Sequence, residues 1–179
     1  MALLSLTARL GVGLHLFTGY CRCRNIDHPE VGQFVEHMWA FVALPGGGVG
    51  FDEWQSATPE LVEAGLGSEW PEGFAAHLAV RGVAEPEFRS ALTHCTEVLY
   101  SSLFGAADNS GSLRELAGLA TVALPTGAAW PDLSAFAASP WACGGWGGRL
   151  DAEVLTRWRA AEQRHAAPGI SPPADASPK

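Results

Sequence analysis

The chain has 179 residues, of which 47% are hydrophobic and 17% are charged, and its formal net charge is −8. This composition is typical of a globular protein with one core, and it argues against an extended disordered chain. The only lysine is Lys179, and the arginines are mostly scattered, which argues against nucleic-acid binding because that binding depends on neutralising phosphates.

The first apolar stretch, residues 3–20, fits two patterns. One is the alternation of a strand, carried by Leu10, Val12, Leu14 and Leu16. The other is the stripe of a helix, carried by Leu3, Leu6, Leu10, Leu14, Phe17 and Cys21. We predict a helix, because no second convincing strand exists to pair with it. Since Arg9 and His15 interrupt the stretch, we expect neither a signal peptide nor a membrane span.

A second helix is predicted to begin at Asp27-His28-Pro29-Glu30. Asp27 would cap the free amides, Pro29 suits the first turn and Glu30 would complete a capping box. The apolar stripe that follows comprises Val31, Phe34, Val35, Met38, Trp39 and Val42. The Pro-Gly run from residue 45 should end this helix.

Further helices are predicted along the rest of the chain. Their signals cover Thr58 to Gly67, Trp70 to Gly82, Pro86 to Gly105, Ser112 to Pro125, and a last helix capped by Asp151. Ser112 and Glu115 have the spacing of a capping box. Residues 125–148 are predicted to form an irregular Trp- and Gly-rich loop. We therefore expect an all-α, single-domain irregular bundle of about six helices over residues 1–165, followed by a disordered Pro/Ala/Ser tail over residues 166–179.

Negative charge is concentrated between Asn25 and Phe88. This segment contains eleven acidic side chains and a single basic one, Arg81. A block with this imbalance repels itself and favours a cationic partner. Trp54 and Trp70 each lie beside acidic residues, and tryptophan is enriched at interface hot spots. The predicted partner-binding residues are Asp52, Glu53, Trp54, Glu60, Glu63, Glu69, Trp70 and Glu72. The alternative is a solvated acidic face around core tryptophans.

Metal and cofactor sites find little support. Cys21-x-Cys23 followed by His28 offers three zinc ligands, and His37 would be the fourth, but one residue between cysteines is not the usual zinc spacing. We expect no metal and no cofactor. The four cysteines show no secreted-scaffold spacing, so a reduced, cytoplasmic context is favoured.

Catalytic patterns are also weak. The glycine-rich runs lack the ending of a phosphate-binding loop, and no Gly-x-Ser-x-Gly sequence occurs. An enzyme or a small-molecule-binding accessory protein remains an alternative. Its titratable residues would be His37, His94 and Glu97, provided that they face a common pocket between helices.

In type, the chain resembles the immunity proteins that neutralise bacterial toxins. The resemblance rests on small size, acidity and predicted helices, and on three strings. These are Asp27-His28-Pro29-Glu30 with Met38-Trp39, the run from Tyr100 to Asp108, and Gly145-Trp146-Gly147. It implies a stoichiometric binder that occludes a toxin, often a basic nuclease, and it assigns no functional residue. We therefore expect a protein-binding inhibitor with an acidic, Trp-containing face, with no role for nucleic acid or membrane as ligand.

Overall fold

The computed structural model describes residues 1–44, 50–105, 107, 109–139 and 145–161. The described residues form an irregular all-α bundle with eight α-helices and no strand. The helices are α1 (Leu6–Cys23), α2 (Pro29–Ala43), α3 (Phe51–Ser56), α4 (Glu60–Gly65), α5 (Phe74–Val80), α6 (Glu85–Tyr100), α7 (Asn109–Ala123) and α8 (Ala152–Arg159). Two short 3-10 helices, Leu124–Thr126 and Leu133–Phe136, lie between α7 and α8.

Helix α1 lies at the centre of the bundle and contacts α2, α6, α7 and α8. It is buried on nearly every side, as expected of a helix that is apolar all round. Its glycines explain the strand-like alternation in the sequence. A Cβ on Gly11 would lie 2.8 Å from the ring of Phe136, and one on Gly13 would touch Val98 and Leu116. The alternation therefore reflects close packing, and the predicted helix is confirmed.

Helices α6 and α7 pack against each other and against α1, and α2 covers another side of α1. Aromatic rings join these layers: Phe17 of α1 lies 5.1 Å from Phe34 of α2 and 5.9 Å from Phe88 of α6 between ring centroids. Cys95 is completely buried in α6, and burial raises the pKa of its thiol. Cys95 thus behaves as the small hydrophobe expected from its position.

The three short helices occupy the surface between α2 and α6. Helix α3 packs on α2, α4 packs on both α2 and α6, and α5 packs on α6. The sequence predicts helices α4 and α5. It does not predict α3, because this helix has only six residues and no side-chain cap. Gly73 directly precedes α5 and lies in the left-handed region at φ 75°. Helix α5 therefore begins after Gly73 rather than at Trp70-Pro71, where the sequence predicts its start.

Two of the predicted caps are corrected. His28, rather than Asp27, caps α2: its Nδ1 accepts a hydrogen bond from the backbone N–H of Glu30 at 3.3 Å. Helix α7 begins at Asn109, so Ser112 lies inside it and accepts a hydrogen bond from Arg9 at 2.7 Å instead of capping. The cap at Asp151 is confirmed, because its Oδ1 accepts from the N–H of Val154 at 2.8 Å.

The segment Gly145-Trp146-Gly147 closes over the N-terminus of α1. The backbone N–H groups of Leu6 and Thr7 donate to the carbonyls of Gly145 and Trp146, at 2.8 and 3.4 Å. These hydrogen bonds satisfy backbone N–H groups that have no partner within the helix because they lie at its start. The predicted irregular loop is therefore ordered where it is described. Trp141 and the tail expected from residue 166 lie outside the described residues.

Candidate functional site

Six exposed carboxylates lie on the short helices and the turns beside them, and together they are called the acidic surface: Asp52, Glu53, Glu60, Glu63, Glu69 and Glu72. Asp52 and Glu53 belong to the first turn of α3, and Glu60 and Glu63 to the first turn of α4. The positive end of a helix dipole stabilises carboxylates at such positions, so helix formation alone accounts for part of this placement.

None of the six carboxylates forms an ion pair with another described residue. Acids elsewhere in the chain do form such pairs. Glu36 binds Arg159 at 2.9 Å, and Glu87 binds Arg24 at 2.6 Å while it also accepts from the hydroxyl of Tyr20. Among the described residues, the negative charge of the acidic surface is therefore not offset by an ion pair.

Tyr100 of α6 links α3 and α4 beneath this surface. Its ring centroid lies 6.2 Å from that of Trp54, its side chain forms a hydrogen bond with Thr58, and it interacts electrostatically with Glu63. Burial raises the pKa of the Tyr100 phenol and the charge of Glu63 raises it further, whereas the bond to Thr58 opposes the rise. The structure thus brings Trp54 and Glu63 to the same tyrosine.

The indole of Trp54 is a core group, in agreement with the alternative of an acidic face around core tryptophans. Only 6% of the residue is exposed. Its ring stacks on the imidazole of His37 at 4.5 Å, and its Nε1–H donates to the His37 carbonyl at 2.8 Å. Packing under α2 satisfies both the apolar ring and its polar N–H, so Trp54 supports α3 from below.

Trp70 is half-buried and retains some access to solvent. One face carries the guanidinium of Arg89 at 3.9 Å, and its Nε1–H donates to Glu85 at 2.8 Å. Arg89 also donates to the carbonyls of Ala64 and Ser68, which fixes the end of α4 beside the indole. Trp70 is therefore held in place by contacts within the chain.

Two residues of this region were not anticipated from the sequence. Leu66, next to the end of α4, is 46% exposed and adds apolar surface near Glu63 in the sequence. Arg89 places one cation within the acidic surroundings of Trp70. Leu66 fits the stripe that buries Leu61 and Val62, so periodicity favoured an inward side chain. The position of Arg89 depends on packing between α4 and α6, which sequence spacing does not give.

The three titratable residues of the alternative site do not share one environment. His37 is buried under Trp54, and this burial lowers its pKa to about 4. His94 points toward α7, where its Nδ1 lies 2.8 Å from a carboxylate oxygen of Glu115. Glu97 also faces that region, since burial and the charge of Glu115 raise its pKa. The described contacts therefore associate His94 with Glu97 and leave His37 elsewhere.

A shallow depression of about 550 Å³ lies between α1 and the start of α2. Its lining includes Cys21, Arg22, Ile26, Asp27 and His28. Cys21 is buried whereas Cys23 is exposed. Within the part of the chain that the structure describes, no three side chains of His, Cys, Asp or Glu lie together in a way that could hold a metal ion.

Helix α1 is the longest helix in the described ranges, and no helix there combines the length and the apolar character that a membrane crossing requires. No protein-family model, no curated protein and no solved structure matches this chain.

Proposed function

We propose that this chain is a protein-binding inhibitor of the immunity type, whose acidic surface docks on a cationic protein such as a toxin domain and occludes it. The observation that supports this most strongly is the set of six exposed carboxylates without ion-pair partners among the described residues. Uncompensated charge of one sign steers an oppositely charged protein and raises its association rate by orders of magnitude.

The chemistry of the region also suits a protein partner. Leu66 offers exposed apolar area, and Trp70 offers an indole edge that Arg89 and Glu85 hold in place. A pre-positioned side chain loses little entropy on binding, so a larger share of the contact energy contributes to affinity. Trp54 contributes indirectly, because its stack on His37 holds α3 in position.

The partner to test is the protein whose coding region adjoins that of this chain. Reversal of Glu53, Glu60 and Glu63 to lysine should weaken its binding by more than about 1 kcal/mol, as measured by titration calorimetry. Circular dichroism of the free variant checks that it remains folded, because all three side chains are exposed and a lysine near the start of a helix should cost no more than about 1 kcal/mol.

A matched pair of single variants separates local charge from total charge. Glu60 and Glu153 are both exposed carboxylates in the first turn of a helix, but Glu153 lies on α8. Glu60→Lys should weaken binding several-fold, and Glu153→Lys should change it little. Equal losses from the two substitutions would mean that net charge, rather than the acidic surface, controls binding.

A second candidate function is an enzyme or a small-molecule-binding accessory protein, and the pair of His94 with Glu115 favours it. A carboxylate on Nδ1 fixes the imidazole tautomer and leaves Nε2 as the basic nitrogen, an arrangement used in acid–base catalysis. His94→Gln discriminates between the two candidates. The inhibitor predicts unchanged partner binding and unchanged protection of cells, whereas the enzyme predicts loss of cellular function with partner binding intact.

A further inference from the structure

Two histidines meet between the start of α2 and helix α5. The ring centroids of His28 and His77 lie 4.9 Å apart, and the interplanar angle is 67°. Both rings contact Phe74, at 5.0 Å for His28 and 6.4 Å for His77. Phe74 is completely buried against Phe88 of α6. The histidine pair therefore lies over the core contact that holds α5 to the bundle.

His28 must have an unprotonated Nδ1 to perform its role in this contact. Nδ1 accepts from the N–H of Glu30 and so caps α2. A proton on Nδ1 would remove the accepting lone pair and would place positive charge at the positive end of the α2 dipole. The cap of α2 therefore depends on the acceptor Nδ1 of an imidazole, unlike the Ser, Thr, Asp or Asn caps of most helices.

The surroundings of His77 also favour a neutral imidazole. His77 Nε2 is buried and has no hydrogen-bond partner among the described residues. Burial lowers the pKa of His77, the charges of His28 and Arg81 lower it further, and Asp27 opposes them. The other ionisable groups at this junction are Arg22, which lines the depression beside His28, and Glu30 in the first turn of α2.

We propose that His28 and His77 form an acid-sensitive joint between α2 and α5, closed while the buried Nε2 of His77 is unprotonated and opened when His77 takes up a proton. Opening exposes Nε2 of His77 to solvent, separates the two imidazoles and frees α5 together with Phe74. This inference concerns the fold alone and does not depend on a partner.

The sign of the pH dependence follows from linkage. A histidine with a lowered pKa in the closed state binds fewer protons there than in the open state, so the joint is most stable above the ordinary histidine pKa of 6.5. Stability is lost as the pH falls below that value. Each additional proton bound on opening raises the opening constant by up to about tenfold per pH unit.

Hydrogen–deuterium exchange of the full chain tests the joint. Between about pH 7.5 and pH 5.5, corrected for intrinsic exchange rates, protection of the α5 amides should fall severalfold relative to that of α6 and α7. The internal reference matters because global acid destabilisation lowers protection in all helices together. An α5 whose protection follows α6 and α7 across this range would overturn the proposal.

A double variant, His28→Asn with His77→Gln, supplies the matched control. Asparagine is a good cap that does not titrate, and glutamine keeps a polar side chain of similar length. The α5 protection of this variant should be independent of pH, and a wild-type pH response in it would contradict the joint. His28→Asn alone should retain a smaller response.

The imidazole signals of the wild-type protein give a readout that needs no variant. In an NMR titration, the midpoint for the His77 ring should lie below the ordinary histidine pKa of 6.5, and α5 protection should fall between 6.5 and that midpoint. A His77 midpoint at or above 6.5 would overturn the proposal even if neither variant folded.

Discussion

Polar groups are buried and paired at the start of α1, whereas those of the acidic surface are exposed and form no ion pair with described residues. At the start of α1, the hydroxyls of Ser5, Thr7 and Ser139 are buried and bond to one another, and the N–H groups nearby donate to the carbonyls of Ser139, Gly145 and Trp146. On the acidic surface, six carboxylates face solvent without ion-pair partners among the described residues. Polar groups that are paired and buried stabilise a fold, whereas unpaired exposed charges leave stability almost unchanged and remain available for binding. Substitutions in the first region should therefore change stability, and those in the second should change association.

The largest expected effect is that of Gly147→Val. Gly147 has φ 90°, and a Cβ there would lie 2.7 to 2.8 Å from the hydroxyls of Ser5, Thr7 and Ser139. Backbone strain together with overpacking should cost about 3 kcal/mol of unfolding free energy, measured by urea denaturation. Gly148→Ala is the control, because nothing lies within 4 Å of its added Cβ. Similar losses from both variants would show that residues 145–147 are not a close-packed contact.

The next effect is the acid sensitivity caused by His37. Its folded pKa of about 4 lies below the ordinary value of 6.5, so the unfolded chain binds more protons between these values. Stability should be complete above about pH 6.5 and should fall by about 2 kcal/mol on going to pH 4.5. His37→Gln removes this titration, and its unfolding free energy should depend less steeply on pH. Parallel pH curves for the two proteins would contradict a buried neutral imidazole.

A smaller effect is expected at Gly118, where the ring of His94 lies directly on α7. A Cβ on Gly118 would lie 2.6 Å from His94 Nδ1. Gly118→Ala should cost about 1 kcal/mol, although alanine normally favours a helix. Gly32→Ala in α2, which has open space, should be neutral or stabilising. In a His94→Ala background, Gly118→Ala should become stabilising, and a persistent loss there would exclude the ring contact as the cause.

The smallest effect belongs to the acidic surface itself. Glu60→Gln and Glu63→Gln remove charges without partners, so the unfolding free energy should change by no more than about 0.5 kcal/mol. Thermal denaturation at low and high salt measures this change. A loss of more than about 2 kcal/mol would mean that these carboxylates stabilise the fold through contacts of their own.

Much of the helical fold could be predicted from the sequence, because apolar periodicity and the Pro and Gly breaks marked α2, α4, α5, α6 and α8. The cap of α2 was assigned one residue too early, since Asp27 and His28 can both accept a bond from a free amide. The start of α7 was placed too late, because Ser112 serves the buried Arg9 rather than a helix end. Local patterns do not reveal such long-range partners.

The candidate site was only partly predictable. The sequence indicated the six carboxylates, and their exposure fits their placement at helix starts and turns. It did not reveal that Trp54 lies beneath α2, because a tryptophan among acids has the same local pattern whether it faces solvent or core. The contact between His28 and His77 spans 49 residues of chain and depends on how α5 lies against α2.

The most direct test of the central claim is the salt dependence of association with the adjacently encoded protein, measured by stopped flow. For the wild-type chain, the association rate constant should fall by more than about tenfold between low salt and about 0.5 M salt, since screening removes electrostatic steering. The variant with Glu53, Glu60 and Glu63 reversed to lysine should associate more slowly at low salt and should show little dependence on salt. Equal rates and equal salt slopes for the two chains would contradict docking through the acidic surface.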